Sequence, residues 1–168
     1  MKKYQDSHLL RMFLVGFFLL TFAGQTIASE EASALQGMTA AKVVFDVKKD
    51  EPQDLLRALA AIRNVRESIS QQGVQPDFIV TFRGGAVVCL ADMKEDSDLD
   101  EYKEDILDKI SWNIIELKKA GVQMEICSLA LNLASMKDTA LLSGIKKVDN
   151  SLVSLIAYQN RGYAMVAI

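Results

Sequence analysis

Two cysteines and one histidine bound the side-chain chemistry open to this 168-residue chain. Cys127 closes the run Gly121-Val122-Gln123-Met124-Glu125-Ile126-Cys127, which reads as a strand, and Ser128-Leu129-Ala130-Leu131 reads as the start of a helix. In an α/β protein that position is the carboxyl edge of the sheet, where open-sheet folds place ligands and reactions. A thiol there sits beside a helix amino terminus, whose unpaired N–H groups favour the thiolate. The single histidine, His8, lies in a segment expected to be removed from the mature protein. Without it a Ser-His-Asp triad and an ordinary zinc site are both excluded, and the lack of Cys-x-x-Cys excludes a thioredoxin-type motif. No metal or cofactor is expected, and Cys127 is left as the candidate reactive group.

Each candidate also has a plain structural role. Cys127 could be a small buried hydrophobe that finishes a strand. Cys89 lies in the apolar run Ala86–Ala91, where core packing is its expected part. A Cys89–Cys127 disulfide stays open in an oxidising compartment, provided the Cα atoms come within about 7 Å. Arg83-Gly84-Gly85 could present a cation and backbone N–H groups to a small anion, or simply form a turn that needs glycine.

Residues 1–28 read as a secretory signal peptide. Lys2, Lys3 and Arg11 make a basic start, Met12–Gly24 carries no charge, and Thr26-Ile27-Ala28 puts small residues before Ser29. The apolar run is short of the roughly 20 residues a spanning helix needs, so cleavage is expected over retention as an anchor. A periplasmic or secreted protein follows, with no membrane attachment after cleavage. Residues 29–40 read as a flexible leader and 41–168 as one domain. Removing Lys2, Lys3, Arg11 and Asp6 from totals of 19 basic and 22 acidic residues leaves a net charge near −5. With no basic stripe, nucleic acid is not an expected partner.

Ala41–Val47 is β-branched and apolar, a buried first strand. Pro52 opens a helix whose stripe is Leu55, Leu59, Ile62, Val65 and Ile69, closed at Gly73. A second strand, Phe78–Phe82, begins from Pro76-Asp77 and runs into Arg83-Gly84-Gly85. Ala86–Ala91 is read as a helical turn. Ser97, Asp98 and Asp100 offer caps for a long helix with Ile106, Ile110, Ile114 and Leu117 inside, stopped by Lys118-Lys119 and Gly121. Tyr102 and Trp112 sit off or at the rim of that stripe. After the Cys127 strand come a helix from Ser128 to about Met136 and a short strand Ile145–Val148. A helix capped at Asn150 or Ser151 and a closing strand Tyr163–Ile168 complete the chain. The alternation predicts one three-layer α/β/α domain with a five-stranded, mainly parallel sheet.

These motifs in this order resemble the DsrE/DsrF-like family, in its small exported branch, over about residues 41–168. The likeness is carried by Gly121–Cys127, by Phe78–Gly84, and by the last helix, turn and strand in Leu155-Ile-Ala-Tyr-Gln-Asn-Arg-Gly-Tyr-Ala164. Ser128 stands where many relatives carry glycine, and Arg83 where exported relatives often carry histidine. The resemblance implies assembly into a homo-oligomer, trimer or hexamer, and in some members a cysteine that carries sulfur as a persulfide. Cys127 would be that thiol, with Arg83, Gly84, Gly85 and Ser128 as supporting binding residues and a sulfur donor or acceptor protein as partner. The competing reading is an oligomeric binding or scaffold protein in which Cys127 only packs.

Overall fold

The computed structural model describes residues 34–90, 101–136 and 141–168, with the backbone alone at 101–103. The signal segment 1–28, residues 29–33 of the leader, the caps at Ser97, Asp98 and Asp100, and the Tyr102 side chain lie outside the described residues. Among the described residues the elements follow in order: β1 (Ala40–Val47), α1 (Pro52–Gln71), β2 (Gln75–Phe82), α2 (Ala86–Cys89), α3 (Glu101–Lys119), β3 (Gln123–Cys127), α4 (Ser128–Leu133), β4 (Lys146–Val148), α5 (Ser151–Asn160) and β5 (Ala164–Ala167).

The strands form one sheet in the order β4-β3-β2-β1-β5, and every neighbouring pair is parallel. From β1 to β4 the chain steps one way across the sheet, so right-handed crossovers put their helices on one face. The last crossover runs back from β4 past β3, β2 and β1 to pair β5 with β1. Its helix, α5, therefore lies on the opposite face, and the two apolar clusters follow that division. The larger one joins Phe45, Phe78, Val80, Met124 and Ile126 of the sheet to Leu55, Leu59 and Ile62 of α1 and Ile106, Ile110, Ile114 and Leu117 of α3. The smaller one is Val44, Ile79 and Leu155, with Tyr158 and Tyr163 at its margin. Strand residues alternate between these faces with the pleat.

Three sequence expectations shift. Val65 is 42% exposed, not part of the α1 stripe. It stands about 80° around the helix from Leu55. The inner position of that turn goes instead to the half-buried Arg66, whose guanidinium donates to the Ala120 carbonyl at 2.6 Å. α4 stops at Leu133 rather than near Met136, because Ser135 turns left-handed (φ 59°) and the Met136 N–H folds back onto the Leu131 carbonyl. β2 begins at Gln75, ahead of Pro76. The proline is tolerated because at that height β2 pairs only with β1; β3 joins from Ile79. Trp112 is half exposed at the rim of α3, with the Arg63 guanidinium 4.3 Å from its ring centroid. Among the described residues, no helix is long and apolar enough to cross a membrane.

The α1 orientation is open to direct test. Leu59 is fully buried in the larger cluster. Leu59→Ala should cost about 2–5 kcal/mol in urea unfolding, and Val65→Ala less than about 1 kcal/mol. Equal losses would mean that α1 packs by a different face.

Candidate functional site

All strands being parallel, the ends of β1, β2, β3 and β4 meet at one edge, and α5 begins there. Cys127 is both the last residue of β3 and the cap residue of α4, and it is 4% exposed. Met124 and Ile126 face the larger cluster, so Glu125 and Cys127 face α5. The Cys127 sulfur accepts the N–H of Ser151, the first residue of α5, at 3.5 Å. Asn150 holds that helix start by accepting the Leu152 N–H on Oδ1 at 3.0 Å. The Leu129 N–H donates to the Asp149 carbonyl at 3.1 Å, tying α4 to the residues that lead into α5.

Burial pushes the Cys127 thiol up. The Ser151 N–H and the Ala130 and Leu129 amides are among the donors that outweigh it, and the thiol ends below its ordinary value. Cys89 has the opposite surroundings. It lies in the larger apolar cluster with its thiol 3.6 Å from the Asp50 carbonyl, and burial followed by the charges of Glu51 and Asp50 pushes it up to about 11. Cys127 belongs to neither apolar cluster. Both thiols are free. The disulfide left open by the sequence does not form in this structure, because the two sulfurs address opposite faces of the sheet.

Arg83 follows β2 directly and grips Asp46 of β1 with two bonds of 2.6 Å, Nε to Oδ1 and Nη2 to Oδ2. Those hydrogen bonds raise the guanidinium pKa; burial opposes them, while the charges of Asp46 and then Cys127 add to the rise. Arg83 thus reaches the thiol electrostatically while its fork is engaged by a carboxylate. Gly84 takes a left-handed turn (φ 58°), and the Gly85 N–H donates to Asp50 Oδ1 at 3.2 Å. A Cβ at Gly85 would run into both the side chain and backbone of Asp50. Both glycines are therefore used by the turn itself. Ser128 is half-buried at the first position of α4.

Sequence reasoning passed over a polar layer beneath α5. Tyr158 donates to Glu125 Oε1 at 2.8 Å, and burial with the Glu125 contact pushes its hydroxyl up to about 12. Tyr163 donates to Asp77 Oδ2 at 2.8 Å and packs edge-on against Tyr158. Asp46, Thr81 and Glu125 are buried on three neighbouring strands. The signal available was polar residues at alternate positions of otherwise apolar strands, as in Gln-Met-Glu-Ile-Cys. Among the described residues, no group of three or more His, Cys, Asp or Glu side chains could hold a metal ion.

Comparison with known proteins agrees with this architecture. The model of a family described as DsrE/DsrF-like matches residues 38–168. An uncharacterised protein of Aquifex aeolicus (strain VF5) is 26% identical over 129 residues, which cover 74% of this chain and 55% of that relative. The chain thus aligns with little more than half of that relative's length. A solved protein of unknown function from Methanobacterium thermoautotrophicum superposes with a TM-score of 0.58 at 23% identity, over 76% of this chain and 99% of that one. The ychN protein of E. coli gives 0.54 at 15% identity, with the same coverage. Both share the fold.

Both cysteine residues are 4% exposed, so access does not separate them; ionisation does. Limiting iodoacetamide at mildly alkaline pH should alkylate Cys127 at least about tenfold faster than Cys89. Peptide mapping reads the result, and equal rates would contradict the electrostatic assignment.

Proposed function

The chain belongs to the DsrE/DsrF-like family, and from that premise we propose that it is a sulfur carrier whose Cys127 holds a sulfane sulfur as a persulfide. The observation that carries the reading is the set of N–H donors around a buried sulfur that belongs to neither apolar cluster. A thiol that only packs needs no such donors. An acceptor of sulfur must be a thiolate, and this environment favours that form.

Loading is a simple exchange. The Cys127 thiolate attacks the outer sulfur of a polysulfide or of a donor's persulfide. The donor's S–S bond breaks, a new S–S bond forms at Cys127, and the donor leaves as a thiolate with the electron pair. No outside oxidant or reductant is consumed. Arg83 lends positive potential, and the turn at Gly84-Gly85 with Ser128 frames the edge where donor and acceptor approach. The product is handed on, so the protein is a carrier more than a turnover enzyme. On the composition of residues 1–28 we place it in the periplasm or outside the cell.

A second reading is an oligomeric binding or scaffold protein. It is supported by exposed apolar side chains on α5 and β5, namely Leu152, Val153, Ile156, Met165 and Val166. Burial of that surface in a homo-oligomer suits either reading.

Treating the folded protein with polysulfide should add about 32 Da, one sulfur atom, in intact mass. The gain should vanish on reduction and be absent from Cys127→Ala. A folded, accessible protein that gains no mass would leave the scaffold reading.

A further inference from the structure

Among the described residues, three buried side-chain oxygens or nitrogens have no hydrogen-bond partner: Gln72 Oε1, Glu125 Oε2 and Ser151 Oγ. The last is at the candidate site. Ser151 is fully buried, and its N–H already rests on the Cys127 sulfur at 3.5 Å. Its hydroxyl is not needed to start α5, because Asn150 Oδ1 caps that helix. A buried hydroxyl without an acceptor is destabilising. The position thus carries a donor that the neutral-thiol state leaves without a hydrogen bond of ordinary geometry, beside a sulfur that becomes a strong acceptor on ionisation.

We propose that the Ser151 hydroxyl is a positioning donor for the sulfur anion at Cys127. A hydroxyl rotates about one bond, so it turns onto the thiolate without moving the backbone. After loading, the negative charge shifts to the outer sulfur, and the same hydroxyl follows it. This inference rests on reading Cys127 as an ionised, sulfur-accepting thiol, and it adds the residue that orients the anion. The charged groups around that sulfur are Arg83, whose charge couples to it, Asp46, which engages Arg83, and Glu125, two residues earlier on the same face of β3. From α5 the Tyr158 hydroxyl is committed to Glu125. Asp149 presents its backbone oxygen to Leu129.

The test is ultraviolet thiolate absorbance against pH, read as the difference between each protein and its Cys127→Ala counterpart. Removing a hydrogen bond to a charged group in Ser151→Ala should lower the thiolate fraction at a fixed pH below the midpoint roughly tenfold. Ser151→Thr keeps the hydroxyl and should hold the wild-type curve. Ser151→Val has the shape of threonine without the hydroxyl and should follow alanine. If Ser151→Ala does not fold, the threonine–valine pair decides alone. Superimposed curves for folded alanine and wild-type proteins, or valine tracking threonine, would overturn the proposal. A wild type that titrates as described but gains no sulfur from polysulfide would instead overturn the carrier reading and leave the Ser151 comparison intact.

Discussion

An all-parallel sheet dictates where this protein can do chemistry. Every strand ends at the same edge, and every helix that follows a strand begins there, with its unpaired N–H groups turned toward the strand ends. Here the order β4-β3-β2-β1-β5 adds one more constraint. The final crossover covers the second face, so α5 starts beside the end of β3 and brings the Ser151 N–H onto the Cys127 sulfur. The α4 amides that favour the same sulfur follow directly from Cys127 as the cap residue of that helix. Removing the long return crossover would leave the cysteine at a strand end with half its donors.

The two cysteines show how position decides ionisation. Both are almost completely buried, which by itself disfavours a thiolate. Cys89 meets apolar side chains and two acidic neighbours, so burial prevails. Cys127 meets oriented backbone donors and an arginine, so burial is outweighed. The thin cover of α5 on its face also explains the buried polar layer there. One helix supplies little apolar surface, and the space is filled by paired groups such as Tyr158–Glu125 and Tyr163–Asp77.

Local signals were legible in the sequence because they act within a few residues. The Pro52 start of α1, the buried face of α3 from Ile106 to Leu117, and Cys127 at a strand end all read correctly from spacing and composition. The long strand-to-strand crossovers made the parallel sheet legible as well. What was not legible depends on contacts between distant segments. Ser151 reads as a helix cap, and only a crossover spanning 24 residues brings it to Cys127. Arg83 reads as a free cation beside a glycine turn, whereas its fork is held by Asp46, 37 residues earlier. Val65 failed for a subtler reason: it is apolar at nearly helical spacing, yet a half-buried arginine takes the inner position.

Oriented donors lower the Cys127 pKa and favour its thiolate, whereas burial in the larger apolar cluster raises that of Cys89. Carbon-13 NMR of the native protein labelled at cysteine Cβ follows both thiols through one pH titration. The Cys127 resonance should move below the ordinary thiol range, with Cys89 unchanged until near 11. Two resonances that move together, or a Cys127 resonance that moves after Cys89, would contradict the account.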